Sequence, residues 1–262
     1  MSQTERQKKA LLSQLSSVEA DLSHASGVIT DVESKMARVE GAMAYLPSRL
    51  STVRTRGYSA MGHLEKSIEL LTKKWADMAP LLKQAFLNSL QPLVARIQAL
   101  NGEASRLRFE VNRGSISYAQ LVITRLGVDA SSMRGMAVSE ASKISVPLNE
   151  LLSSVEAVDR DLRIAERTID LTSRASFPFK ENESPVLAVE GKIMTGDKSE
   201  GTLYLTNQRF IFEGQREVVL ERKLFIATKK KTERTVLIDQ PIGVLREISK
   251  GRVGLIAWTG IY

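Results

Sequence analysis

The sequence contains no cysteine and only two histidines, His24 and His63. The first absence removes disulfides, thiolate metal ligands and a cysteine nucleophile. Neither histidine has a second histidine or a carboxylate at helical ligand spacing on an apolar run, so zinc chemistry and a histidine general base have no support. Aromatic residues make up 5% of the 262-residue chain and are scarce before Phe177. A core with so few rings is packed by Leu, Val, Ile, Met and Ala, which suits helix packing. Long hydrophobic runs are missing too: no window reaches the roughly 18 consecutive apolar residues that cross a bilayer. The amino terminus, MSQTERQKKALLSQL, has charge but no apolar stretch followed by a small-residue cleavage site, so it is not read as a signal peptide. A cytoplasmic protein, peripheral to a membrane at most, is expected. There is no Ser/His/Asp arrangement, no metal cluster and no Gly-rich cofactor loop, so no enzyme activity, cofactor or small-molecule substrate is expected. Residues Gly191 to Ser199 are the nearest approach to a phosphate loop, but Asp197 separates Gly196 from Lys198 and a strand follows where a helix is required.

What the chain has is charge and periodicity. Its formal net charge is +7, with 23 basic and 19 acidic residues up to Ser176 and 14 basic and 11 acidic from Phe177 onward. This spread excess is compatible with attraction to anionic lipid or nucleic acid. Nucleic acid is the weaker expectation, because bases and acids interleave along the helical part and the aromatics fall on core-like faces.

From the amino terminus a seven-residue rhythm runs through Leu11, Leu15, Val18, Leu22, Ala25, Ile29, Val32, Met36, Val39, Met43 and Leu46. Alternating steps of four and three keep one narrow seam facing a partner helix, so these residues are the candidates for oligomerisation. Pro47 is expected to end the helix, with Ser48 as the cap of the next. A second helical region is expected from about Arg49 toward Asn112, kinked or segmented at Pro80 and Pro92, with further breaks at Asn101-Gly102 and Arg113-Gly114. Ser115 to Ser145, rich in Ser, Gly and Ala, reads as a short helix followed by a small-residue helix or loop. Pro147 then opens a helix carrying Leu148, Leu151, Val155, Val158, Leu162, Ala165 and Ile169, which ends near Ser173 to Ser176. Such helices predict an antiparallel bundle or a coiled coil over residues 1–176, packing in cis or with a second chain.

The composition changes at SFPFKENESP, Ser176 to Pro185, which sets a second domain at 177–262. There the pattern turns to period two, with Leu187, Val189, Ile193, Leu203, Leu205, Phe210 and Phe212 expected on one buried face. Asn207 and its neighbours close a hairpin. Further strands are expected at Val218 to Thr228, Thr235 to Asp239, Val244 to Ser249 and Arg252 to Trp258, giving seven strands and a small antiparallel sandwich or barrel. The overall class is thus α+β: a helix bundle or coiled coil followed by a small antiparallel β domain.

The stretch Gly201-Thr-Leu-Tyr-Leu-Thr-Asn-Gln-Arg-Phe-Ile-Phe212 resembles the signature of GRAM domains, members of the pleckstrin-homology-like superfold. Val236-Leu-Ile-Asp-Gln-Pro-Ile-Gly-Val-Leu-Arg-Glu-Ile248 is similar to a second family segment, and together the likeness covers about the last third of the chain. The resemblance implies a barrel whose open end is closed by a helix, and the helix from Pro147 to about Ser173 is the expected substitute for the family's carboxy-terminal one. It also implies docking on a membrane lipid or a protein. Lys229, Lys230, Lys231 and Arg234, the densest basic cluster, are placed at a hairpin tip and are the candidate contacts with an anionic membrane surface. The function expected is a non-catalytic scaffold or adaptor that self-associates or binds protein partners through its helices. A structural filament built from coiled-coil rods, and a nucleic-acid-associated protein, are the alternatives.

Overall fold

In a computed structural model the chain is described at residues 3–60, 62–193, 199–223, 226–244, 250–252 and 259–261, with the side chains of 216–232 and 245–262 left out of the description. Helix α1 spans Gln3–Thr55, α2 Gly62–Ala85, α3 Gln91–Arg113 and α4 Ile116–Thr172. Strands β1 (Pro185–Lys192), β2 (Glu200–Thr206), β3 (Arg209–Lys223) and β4 (Ile226–Pro241) form an antiparallel meander in that order, and β5 (Lys250–Arg252) pairs with β6 (Thr259–Ile261).

The helices are longer than the prolines suggest. Pro47 lies inside α1 and Pro147 inside α4, so neither ends nor begins a helix. A proline in a helix removes one N–H donor and crowds the preceding turn, at a cost of about 3 kcal/mol. Apolar neighbours offset that cost: Leu46 and Val53 around Pro47, and Ile144, Leu148 and Leu151 around Pro147, are all buried. Pro47 itself faces solvent, where water can take up the freed carbonyl. Ser115 to Ser145 is likewise one stretch of α4 after its first residue, because Ala119, Ala130, Ala137 and Ala141 are the small residues of a buried stripe and do not mark a loop. Asn101-Gly102 does not interrupt α3. Pro92 does segment the chain: a π-helical turn at Phe86–Leu90, with the Gln91 N–H donating to the Phe86 carbonyl, places the proline in the first turn of α3, where its missing donor costs least. Gly114, at φ 100°, ends α3 in the left-handed conformation that glycine adopts without strain.

The chain divides into two compact units. One holds residues 1–45 and 69–156, the other 46–68 and 157–262, so the last turns of α4 belong with the sheet and not with the rest of the bundle. In the first unit, Arg108 bridges to Glu19, Lys83 to Glu40 at 2.9 Å and Arg134 to Asp21 at 2.9 Å. Their order places α1 antiparallel to α2 and α3 and, with Arg38 to Glu156, parallel to α4. In the second unit Arg49 joins Asp159 and Glu166, and Arg56 joins Asp170.

In the sheet, Leu187, Val189, Leu203, Leu205 and Phe210 are half-buried, and of the face expected to be the core only Phe212 is fully buried. The opposite face carries the packing: Ala188, Tyr204 and Ile211, adjacent in cross-strand register, cluster with Leu171 at the end of α4, joined by Ala175 and Phe177. Hydrophobicity alone ranks Leu and Phe above Tyr and Thr and so points to the wrong face; Tyr204 is buried because its hydroxyl has partners there. The separately expected strands from Phe210 to Asp239 are two long ones, β3 and β4, so six strands are described in place of seven. Val244 is in a short 3-10 turn, Arg252 ends β5, and the expected strand residues 245–249 and 253–258 lie outside the described residues.

Candidate functional site

Among the described residues, the buried polar side chains Thr168, Thr202, Thr206, Arg209 and Glu213 all lie in the second unit. Its first cluster forms where α4 meets the sheet. The Thr168 hydroxyl accepts the Ala188 N–H at 3.1 Å, which gives the first sheet strand a partner from the helix. The Tyr204 hydroxyl donates to Glu213 at 3.2 Å and lies 3.4 Å from the Leu171 carbonyl, which also accepts the Arg174 N–H at 3.0 Å. The other Glu213 oxygen accepts from the Ser176 N–H at 2.8 Å and from the Ser176 hydroxyl. Glu213 is only 2% exposed, and these three donors are what make its burial tolerable. Burial, followed by the facing Glu213 carboxylate, pushes the Tyr204 phenol up to about 12. Phe177 packs edge-on against the Tyr204 ring at 5.0 Å. Tyr58, after α1, donates to the Val186 carbonyl at 2.7 Å, and burial raises its phenol pKa, with the charge of Asp161 adding to the shift.

The second cluster surrounds the β2–β3 turn. Thr206 accepts the N–H groups of Gln208 and Arg209 and donates its hydroxyl, the Asn207 side chain bridges Ser184 and the Asn182 carbonyl, and Gln208 reaches the Glu181 carbonyl at 3.0 Å. Arg209 sits at the centre. Its Nε and Nη2 donate to the two Glu183 oxygens at 2.8 and 3.0 Å, Nη2 also to the Pro178 carbonyl at 2.8 Å, and Nη1 to Asp239 at 2.5 Å. The Phe177 ring lies 5.5 Å from the guanidinium carbon. Burial of Glu183 works against its ionisation, but the hydrogen bonds from Arg209, Lys180 and Thr206 outweigh it and hold its carboxyl below the usual range. The Glu183 hydrogen bond in turn holds Arg209 above its ordinary value. The turn residues of the sequence signature therefore do more than reverse the chain: they clamp segment 178–184 onto the sheet. Arg209, Glu183, Glu213 and Tyr204 are not among the residues the sequence pattern singles out. The Thr-Asn-x-Arg spacing at 206–209 was visible, but its partners come from 178–184 and 239, and only the fold brings those together.

The expected oligomerisation seam is occupied within the single chain. Leu11, Leu15, Val18, Leu22, Ala25, Ile29, Val32, Val39 and Leu46 are buried, while Met36 and Met43 are half-buried. Lys229, Lys230 and Lys231 are not at a hairpin tip: they are strand residues of β4, in register with Glu221, Val219 and Val218 of β3. Arg234 is exposed and donates to the Arg174 carbonyl just beyond α4. His63 is exposed and 3.9 Å from Asp161. Among the described residues no three carboxylate or histidine side chains gather as a metal site, and no helix is long and apolar enough to cross a membrane. The loop around Thr195 to Lys198 lies outside the described residues. Comparison of the chain with protein-family models, curated proteins and solved structures found no match.

Proposed function

We propose that the chain is a non-catalytic scaffold or adaptor in which a helical bundle presents surfaces to protein partners and a GRAM-like, pleckstrin-homology-like β domain docks on a membrane or a protein. The observation that carries this reading is the way α4 enters the β domain: Leu171, Thr168 and the residues through Phe177 complete its core, so a 57-residue helix ends in the sheet's own packing. The packing of the end of α4 against one face of the sheet supports the GRAM-like reading, in which a helix covers the β domain.

Because the heptad seam is satisfied in cis, partners meet the helices elsewhere. Leu70, Leu81, Leu87, Leu121 and Val128 are large apolar residues left exposed on α2, on the π-helical turn and on α4. Light scattering on the full chain tests this part. Masses above 29.0 kDa that return to that value when Leu121 and Val128 become Glu support association through the exposed residues. A mass that stays at twice the chain's with both substitutions in place overturns it.

A further inference from the structure

Arg125 of α4 pairs with Glu103 of α3, and that contact fixes which faces of the two helices adjoin. Residues three, four or seven apart share a helix face. On α4, Tyr118, Leu121 and Val128 therefore lie on the face of Arg125, and on α3, Arg96 and Arg106 lie on the face of Glu103, with Arg113 one heptad beyond Arg106. The opposite flanks are engaged: Arg108 of α3 reaches Glu19 and Arg134 of α4 reaches Asp21, both on α1. Helix α1 thus closes one side of the α3–α4 pair, and the other side is an open groove. Tyr118, Leu121 and Val128 are 64%, 79% and 67% exposed there, whereas Tyr45 is the only large apolar side chain that α1 exposes among the described residues.

The two walls of this groove differ in chemistry. The α4 wall is apolar at its rim, and Asp129, its acid without a pair, is half-buried. The α3 wall is cationic. Arg96 and Arg106 are exposed and have no ion-pair partner among the described residues, and the guanidinium carbon of Arg113 lies 5.3 Å from the Phe109 ring centroid, a contact that leaves its charge in place. Glu103 is neutralised by Arg125, and Glu110 accepts from the Ser115 hydroxyl at 3.1 Å, so three arginines face one carboxylate on that wall. Arg106 and Arg113 are one heptad apart, as are Leu121 and Val128, about 10.5 Å along each helix. A heptad on both walls suits one more helix laid along the groove. Nucleic-acid phosphates would meet the arginines but leave Leu121 and Val128 in water. A second copy docked groove to groove brings arginines and no free acid to the cationic wall.

We infer that the α3–α4 groove receives an acidic amphipathic helix of a protein partner. The apolar stripe of that helix lies on Tyr118, Leu121 and Val128, and its carboxylates, spaced seven and then ten residues apart like Arg113, Arg106 and Arg96, meet the arginines of the other wall. The inference deepens the partner-binding reading above and rests on it, adding the chemistry of the partner and the side on which it lies.

The test uses two fluorescein-labelled synthetic helices with the same leucine stripe, one carrying Glu and the other Lys at the flanking positions. Each is about 20 residues long, enough to span the roughly 25 Å from Arg96 to Arg113. Anisotropy titrations with the full chain should show the Glu helix binding at least about tenfold more tightly than the Lys helix at low salt, with the difference shrinking as salt rises. Arg106→Glu with Arg113→Glu should invert that preference, and Leu121→Ser with Val128→Ser should weaken both helices by about tenfold or more. Equal binding of the two helices, or a preference that the arginine reversal does not move, overturns the acidic partner and leaves an apolar contact standing. No binding of either helix overturns the groove as a helix site, and light scattering on the Leu121 and Val128 variant then judges the partner-binding reading separately. Self-association that the serine substitutions abolish and that excludes the Glu helix overturns the inference in favour of a second copy. Retention on duplex DNA that the arginine reversal abolishes, with no helix bound, overturns it in favour of nucleic acid.

Discussion

Replacing Arg209 by Ala removes four hydrogen bonds from one guanidinium and leaves Glu183, whose side chain is 0% exposed, without a counter-ion. Breaking a buried pair from one side costs about 3–5 kcal/mol, most of it the penalty of the stranded charge, whereas removing both charges costs far less. Arg209→Ala should therefore lower the opening free energy of the sheet by about 3–5 kcal/mol, and Arg209→Ala with Glu183→Gln should regain about 2 kcal/mol or more of that. Because the chain has two compact units, a single global unfolding free energy is a poor readout. Amide hydrogen exchange at Tyr204 and Ile211, in full-length protein, reports the sheet locally. The pH dependence has a definite sign. Glu183 has a folded pKa below its unfolded value of about 4.3, so its contribution is present above that value and lost as pH falls through the folded one. The wild-type advantage over Glu183→Gln should shrink in acid. A single-mutant cost under about 1 kcal/mol, or a double mutant as unstable as the single one, refutes the clamp.

Other expectations follow from the same geometry. Tyr204 has a folded pKa of about 12, above the unfolded value of about 10, so its neutral form contributes stability below pH 10 that is lost as pH rises through 12, on the order of 2–3 kcal/mol in all. Tyr204→Phe should flatten the alkaline limb of the stability curve, and an unchanged limb counts against the buried phenol. A Cβ added at Gly201, opposite Gly214 in the ladder, would overlap the Glu213 carbonyl oxygen, so Gly201→Ala should destabilise the sheet by about 1–3 kcal/mol in the same exchange assay. A neutral result there means the strands are not so close. Pro47→Ala, at a solvent-facing position inside α1, should stabilise the helix by up to about 3 kcal/mol and raise the thermal midpoint, and a lowered midpoint would show that the proline is needed where it stands.

Much of the helical part was legible in the sequence. The seam from Leu11 to Leu46 is buried along nearly all its length, because a heptad repeat records burial directly. Its partner was not legible, since the same stripe suits a second chain or the chain's own α3 and α4. Pro47 and Pro147 misled because local propensity is a small term beside the burial of Leu46, Val53, Leu148 and Leu151. In the sheet, alternation showed that strands exist and where the hairpin turns, but the choice of face depended on where α4 lands. Tyr204 and Glu213 look like surface residues by type and become interior only through Leu171 and Ser176, 33 and 37 positions away. Arg209 presents the same difficulty: nothing adjacent in sequence shows that Glu183 and Asp239 will enclose it.

The end of α4 is part of the β domain, since Thr168 and Leu171 pack and hydrogen-bond with its strands. The direct measurement is the amide spectrum of residues 177–262 by themselves, compared with a fragment that begins at residue 157 and with the full chain. With Thr168 and Leu171 missing, the shorter fragment should give the narrow dispersion of an unfolded chain, and restoring residues 157–176, with residues 46–68 of the same unit supplied as a peptide, should bring back dispersed sheet resonances matching those of the full protein. A well-dispersed spectrum from 177–262 that overlays the full-length sheet resonances would contradict the account.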